Sequence, residues 1–340
     1  MELRVGVIGT GVVAAHHMSA YAAHPATRIV ALTSIDPARR TALAKEFEIA
    51  KVTDDYRAVL DDEEIDLVDI CLPHDLHHRV VLEAVRAGKH VILEKPIALT
   101  IEQADEMISA AEHGGQRFFV SLNQRFVPSH RKAKELIDSG VLGKPFLAIG
   151  VVIGDEYARM NQPDNWKGTW DRAGGGALAD TGTHVVDLMH WYFGEATAVV
   201  ACIERLVVEA ENKADDNACG IIEFENGAVA SIVVTYSALG SPWTETKEIV
   251  GTKGSIRFTN AVDSAVYHYV DKKTDPRLIE VERAAEWWGA SVQASVRHLV
   301  DCLVNDKIPE VTPRDARRTL KTVLALYESA RTGKRVKLRP

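Results

Sequence analysis

Lys95 lies near the end of the segment Gly88-Lys89-His90-Val91-Ile92-Leu93-Glu94-Lys95-Pro96, which runs from a helix stop through a short apolar strand. Pro96 keeps Lys95 out of helical geometry. An ammonium at the carboxyl edge of a parallel sheet stands where such sheets bind ligands. There it can hydrogen-bond a substrate oxygen and stabilise negative charge as it builds. The competing reading of Glu94-Lys95 is an ordinary surface ion pair.

A second constellation is Gly174-Gly175-Gly176-Ala177-Leu178-Ala179-Asp180-Thr181-Gly182-Thr183-His184-Val185-Val186-Asp187. Three glycines let backbone approach a ligand or another chain segment. Asp180 and His184 are four apart and share one face if the segment is helical. A carboxylate beside an imidazole fixes its tautomer and raises its basicity, as a general base near neutral pH requires. The spacing alone leaves a buried structural Asp-His pair equally open. Asp187 can instead orient His184 or cap locally.

A third pattern is Gly9-Thr10-Gly11-Val12-Val13-Ala14, between a strand and a helix. Gly9 permits a tight turn, Gly11 lets backbone approach a pyrophosphate, and small Ala14 lets helix pack on strand. The free N–H groups at Gly11, Val12 and Val13 and the positive helix end face the phosphates. This predicts dinucleotide binding. The next strand ends in Thr33-Ser34-Ile35-Asp36-Pro37-Ala38-Arg39-Arg40. Ser34 stands where an acid commonly takes the ribose hydroxyls, and the Arg39 guanidinium suits a 2′-phosphate. NADP is therefore favoured, with Asp36 keeping NAD open. Arg39 and Arg40 also read as a solvated helix face.

These residues need a scaffold, and the first third of the chain supplies one. Short apolar runs at 3–8, 28–34, 66–72, 90–93 and 117–122 alternate with helical patterns at 12–23, 37–47, 76–87 and 101–113. Buried runs between amphipathic helices indicate a Rossmann-type α/β fold, a doubly wound parallel sheet covered on both faces. Past residue 145 the pattern changes to successive strands with tight turns such as Glu225-Asn226-Gly227. Asn-Gly between strand patterns is a hairpin signal. The expectation is an α+β domain with a large, mostly antiparallel open sheet, closed by helices at 290–304 and 313–331. The predicted division is 1–123 for nucleotide binding and 124–340 for substrate binding and oligomerisation.

Length agrees, since 340 residues suggest two domains at roughly 150 each. A net charge of −8 leaves no footprint for nucleic acid or an anionic membrane, and no apolar run is long enough to span a bilayer. The N-terminus enters a strand at once, so no signal peptide is expected. Cys71, Cys202, Cys219 and Cys302 read as reduced, buried thiols of a cytoplasmic protein. His16-His17 and His77-His78 lack ligand spacing, so no metal site is expected.

Together the three motifs resemble the glucose–fructose oxidoreductase / inositol dehydrogenase / rhizopine-catabolism family over essentially the whole chain. The tail Tyr327-Glu328-Ser329-Ala330 is similar too. The resemblance implies Lys95, Asp180 and His184 as the catalytic set. It implies hydride transfer between a nicotinamide cofactor and a secondary alcohol or ketone of a sugar, sugar derivative or inositol. Leu72-Pro73-His74-Asp75-Leu76-His77 resembles the family's Pro-Asn-x-x-His segment, with His74 in place of Asn. It places Leu72, Pro73, His74 and His77 beside the cofactor, with Glu94. Arg125, in Asn123-Gln124-Arg125, resembles a residue that reaches nicotinamide or substrate; an interdomain salt bridge is its other reading. Ser34 and Arg39 are similar to the arrangement of NADP-preferring members. Trp166 and Trp170 read equally as a site wall and as core. An NAD-retaining glycoside hydrolase is the alternative activity, and a non-catalytic nucleotide sensor a third. Homodimers or homotetramers are implied by the resemblance.

Overall fold

The computed structural model describes residues 2–162, 165–209, 214–260, 265–270, 274–282 and 286–338. Met1 and the last two residues of the predicted second domain lie outside them. The chain divides into two compact units, one formed by 1–123 with 288–317 and the other by 124–287 with 318–340.

The first unit runs β1 (Leu3–Ile8), α1 (Val12–Ala23), β2 (Thr27–Thr33), α2 (Pro37–Glu46), β3 (Lys51–Thr53), α3 (Arg57–Leu60), β4 (Leu67–Ile70), α4 (His74–Arg86), β5 (His90–Glu94), α5 (Ile101–Gly114) and β6 (Phe118–Ser121). The strands pair in parallel in the order β3-β2-β1-β4-β5-β6. Every residue of β4 and β6 is buried, which accounts for their largely apolar runs, broken in β4 by Asp69. The strand order reverses between β1 and β4, and the carboxyl ends of such strands flank a ligand crevice. Gly9 follows β1 there, and Leu72 follows β4. Residues 51–60 hold a short strand and helix that the sequence pattern did not announce.

The second unit contains α6 (Pro128–Asp138), β7 (Pro145–Ile153), α7 (Tyr157–Met160), α8 (Trp170–Ala173), α9 (Thr183–Phe193), β8 (Ala196–Glu204), β9 (Asn217–Phe224), β10 (Val229–Thr235), β11 (Thr244–Gly251), β12 (Gly254–Thr259), β13 (Ala265–Tyr269) and β14 (Arg277–Glu280). α10 (Trp287–Val304), α11 (Pro313–Thr332) and β15 (Val336–Lys337) end the chain. α10 presents Val292, Val296, Leu299 and Val300 at helical spacing, and the last three join the core of the first unit with Val5, Val7, Leu32 and Ile92.

Among the described residues, the second sheet has the order β14-β13-β12-β11-β7-β10-β9-β8-β15. Only β7 and β10 pair in parallel; the other neighbours are antiparallel. One face packs on the almost wholly buried α9, as the shared core of Ala148, Val152, Val185, Val186, Met189 and Ile232 shows. The other face is open and apolar, with Ile149, Val200 and Ile221 exposed. Cys202 and Cys219 are register partners on this open face and are exposed. This corrects the expectation of four buried thiols. Alternation along β8 and β9 turns both outward, whereas Cys71 and Cys302 are buried. Among the described residues no helix is long and apolar enough to cross a membrane.

Candidate active site

Gly9 has φ 108, and a Cβ there would lie 2.2 Å from the Cys71 carbonyl oxygen. The tight turn therefore requires glycine. Gly11 differs, because a Cβ there would meet nothing nearer than 3.9 Å. Packing within the chain does not demand glycine at this position, and the open space fits a ligand. The N-terminus of α1 carries no side-chain cap, Val12 is 67% exposed and Ala14 is fully buried against the sheet. Uncapped N–H groups, the helix dipole and the open cradle fit a dinucleotide pyrophosphate.

At the end of β2, the Ser34 hydroxyl accepts from the Thr10 hydroxyl at 2.8 Å and from the Asp36 backbone N–H at 3.1 Å. The Asp36 carboxylate caps α2, accepting from the backbone N–H groups of Ala38 and Arg39 at 3.0 Å each. Asp36 is thus turned to its own helix. Arg39 Nε donates to the Thr10 carbonyl, beside the phosphate turn, and Arg40 donates to the Ser34 carbonyl.

His77 is fully buried. Its Nδ1 lies 2.9 Å from the Pro96 carbonyl and its Nε2 lies 2.9 Å from the Leu72 carbonyl. The ring therefore ties the turn after β4 to the Glu94-Lys95-Pro96 turn after β5. Burial pushes its pKa down against the pull of the two carbonyls. His74 opens α4 and is 4% exposed; its ring centroid is 5.5 Å from that of His77. Lys95 is 8% exposed, and the Lys95-Pro96 peptide is cis.

In the second unit the glycine run approaches protein. A Cβ on Gly175 would lie 2.0 Å from the Tyr327 hydroxyl, and one on Gly176 would lie 1.8 Å from the Asp215 carbonyl oxygen. The Asp215 carboxylate accepts from Gly176 N at 2.6 Å, Leu178 N at 2.9 Å and the Tyr327 hydroxyl at 2.7 Å. Burial pushes Asp215 up in pKa while these three bonds oppose it. This clamp starts the turn that presents Asp180.

That turn is a π-helical stretch, Leu178–Gly182, which passes into α9 at Thr183. The condition set by the spacing, a helical segment over Asp180 and His184, is met by a π-helical turn followed by an α-helix. The wider turn arises where the Asp215 clamp meets the helix. Asp180 accepts from Lys167 Nζ at 3.0 and 2.8 Å and from the Tyr236 hydroxyl at 2.9 Å, with Arg159 3.8 Å away. Burial and then the Asp180 charge raise Tyr236 well above its ordinary pKa. His184 is 8% exposed, at the start of α9. Lys167, Tyr236, Arg159 and Asp215 were missed by sequence reasoning; they come from separate segments with no shared motif.

Arg125 is buried and faces Asp187 of the same unit. Trp166 is half-buried in the 3-10 turn Trp166–Gly168, with the Lys167 ammonium 5.7 Å from its ring centroid. Trp170 stands edge-on to Tyr327. His190 is buried, with Nδ1 2.9 Å from the Gly194 carbonyl and Nε2 2.8 Å from the Thr322 hydroxyl.

Residues 3–122 match an oxidoreductase family with an NAD-binding Rossmann fold, and residues 134–338 match that family's C-terminal alpha/beta domain. The chain is 33% identical to levoglucosan dehydrogenase of Pseudarthrobacter phenanthrenivorans over 288 residues, 76% of this chain and 73% of that protein. It is 26% identical to scyllo-inositol 2-dehydrogenase (NAD(+)) of Bacillus subtilis, over 99% of this chain and 96% of the other. A solved levoglucosan dehydrogenase in complex with NADH has the same fold at TM-score 0.91 and 27% identity, covering 100% of both chains. Both parts of the chain match one family, in the same order, and the fold agrees throughout: the protein belongs to the Gfo/Idh/MocA family and is a nicotinamide-dependent oxidoreductase.

Proposed function

We propose that this oxidoreductase acts on a secondary alcohol, or the matching ketone, of a sugar, sugar derivative or inositol, with Lys95, Asp180 and His184 as its catalytic groups. The observation that carries this reading is the buried Lys95 ammonium at the carboxyl edge of the parallel sheet, in the unit that holds the Gly9–Ala14 cradle. The substrate class draws support from relatives named for levoglucosan and an inositol.

The nicotinamide ring supplies the hydride acceptor or donor when bound. In the oxidation direction, His184 takes the hydroxyl proton as general base. Lys95 donates to the substrate oxygen as charge builds. Asp180 orients His184 and stabilises its charged form, while Lys167 and Arg159 balance the carboxylate's own charge. Gly9, Gly11, Val12 and Val13 would hold the pyrophosphate. Leu72, Pro73, His74, His77 and Glu94 shape the cofactor side. Trp166 flanks the substrate. Arg125 acts through α9, since two of its guanidinium nitrogens serve Asp187.

NADP is the favoured cofactor. Ser34 brings no repulsive charge, Asp36 is engaged in capping α2, and Arg39 stands beside the phosphate turn. The second reading is NAD, favoured by the NADH-bound relative and by the relative named for NAD(+). The hydrolase alternative gains no support from relatives named as dehydrogenases. The open sheet face, with Ile149, Val200 and Ile221, suits a second copy of the chain in a homodimer or homotetramer.

The test is absorbance at the reduced-nicotinamide band, with NAD and NADP separately, against a panel of sugars, sugar acids and inositols. A turnover with NADP that Arg39→Ala weakens about tenfold or more in KM, leaving NAD unaffected, is expected. Equal KM values for NADP in wild type and Arg39→Ala would refute the NADP assignment. No turnover across the panel with either cofactor would refute the substrate class.

A further inference from the structure

His17, Asp69 and Glu94 come from three elements of the first unit and meet in its interior. Asp69 interrupts the apolar run of β4, and Cys71 lies two residues on, facing the same side. Asp69 is opposite Ile92 in the β4–β5 register, so Glu94 at the end of β5 faces that side too. α1 lies over these residues with His17, whose ring is fully buried. His17 Nδ1 stands 3.0 and 3.1 Å from the two Asp69 oxygens, and its Nε2 stands 3.6 Å from Glu94 Oε2. The Cys71 thiol is 3.7 Å from both His17 Nδ1 and Asp69 Oδ2.

A carboxylate without solvent in the middle of a parallel sheet is costly unless paired. Asp69 is 0% exposed, and the imidazole beside it supplies the partner. The opposite ring nitrogen makes no hydrogen bond among the described residues and stands 3.6 Å from Glu94 Oε2, within ion-pair reach; the Glu94 side chain is 16% exposed. Glu94 immediately precedes Lys95. A cation that attracts the Glu94 carboxylate from below therefore acts on the turn that carries the ammonium.

We propose that Asp69 and His17 form a buried positioning relay that holds the Glu94 carboxylate and, through it, the Lys95 turn. The inference rests on the reading of Lys95 as a catalytic group. His17 is a positioning residue: it touches neither substrate nor the reacting atoms in this scheme. A relay to Glu94 requires both ring nitrogens to carry protons, one toward Asp69 and one toward Glu94. Burial opposes that charge, but the Asp69 carboxylate, by attraction and by hydrogen bonding, outweighs it and lifts the His17 pKa well above its ordinary value. The titratable groups facing His17 are Asp69 from β4, Cys71 just past its end and Glu94 from β5, with Tyr21 of α1 beside Asp69. Burial, with the Asp69 charge, pushes the Cys71 thiol up to about 12, so it stays a thiol. The same imidazole, carboxylate and thiol atoms lie within 4.8 Å of one another, so a bound metal ion is the competing use of this cluster.

The experiment uses the full chain labelled with 15N-histidine, and the His17 resonances are assigned by their loss in His17→Gln. The relay predicts a doubly protonated imidazolium that persists through neutral pH into the alkaline range, and its replacement by a titrating or neutral ring in Asp69→Asn. If His17→Gln does not fold, the Asp69→Asn spectrum identifies the ring. In kinetics, His17→Gln lowers kcat about tenfold or more. The His17→Gln/Glu94→Gln double variant is no slower than Glu94→Gln alone. A neutral His17 at pH 7, additive losses in the double variant, or one zinc per chain in elemental analysis of the purified protein would each overturn the relay. If Lys95→Ala turns over normally, the catalytic reading of Lys95 fails while the imidazolium signal stands, so the two failures are distinguishable.

Discussion

Arg125 grips Asp187 through two hydrogen bonds, Nε to Oδ2 at 2.9 Å and Nη2 to Oδ1 at 2.6 Å, with side-chain exposures of 3% and 0%. Asp187 lies three residues after His184 on α9, so the pair anchors the face of the helix that carries the imidazole. Removing one partner strands a buried charge. Arg125→Leu should cost about 3–5 kcal/mol of stability, measured by the denaturant midpoint. Arg125→Leu/Asp187→Leu should recover much of that loss, because no charge is left unpaired. A double variant as unstable as the sum of the singles would contradict the ion-pair account.

The glycine run before Asp180 makes a sharper prediction. Gly176→Ala drives a methyl into the Asp215 carbonyl, where its Cβ would lie 1.8 Å from the oxygen. It should cost about 3 kcal/mol or more and lower turnover, since the displaced clamp presents Asp180. Gly140 is the control for conformation alone: its φ is positive, at 73, which that of Gly176 is not, and its Cβ direction is open. Gly140→Ala should cost roughly 1 kcal/mol by thermal melting and leave kcat alone. A cost at Gly176 no larger than that at Gly140 would remove close approach to Asp215 as the reason for this glycine.

Acid stability follows from the buried histidines. Burial lowers His190 to about 4. Below its ordinary value near 6.5 the unfolded chain takes up a proton that the folded chain refuses. Stability therefore falls as pH drops from about 6.5 to about 4, by up to roughly 3 kcal/mol from this group. His77 and His130, also lowered chiefly by burial, add in the same direction. His190→Asn should flatten the acid limb of stability against pH in chemical denaturation. An acid limb identical to that of the wild type would remove His190 from the account.

Much of the first unit is legible in the sequence because its signals are local. Gly9-x-Gly11, the stop at Gly88 and the runs feeding β1, β4 and β5 each state a physical need within a few residues. The second site is less legible because its groups are gathered by the fold. Asp180 draws Lys167 from 13 residues away and Tyr236 from 56. No spacing rule links them. The glycines before Asp180 were readable as close approach, but their neighbours, Asp215 and Tyr327, were not. Asp69 is an instructive case. One carboxylate inside an apolar strand signals a buried partner, yet His17 lies 52 residues earlier and looks like half of an unremarkable His-His pair. The outward thiols follow the same logic, since alternation sets the face but only the sheet's packing shows which face is covered.

The central claim is that the Lys95 ammonium and the His184 imidazole perform the proton and charge chemistry of the reaction. It is tested most directly by kcat for Lys95→Ala and His184→Ala, each measured with the preferred cofactor and the best substrate from the panel, beside melting temperatures. The account predicts that each folded variant loses at least ~10²-fold in kcat. Turnover within about twofold of wild type in either variant, at unchanged melting temperature, would contradict it.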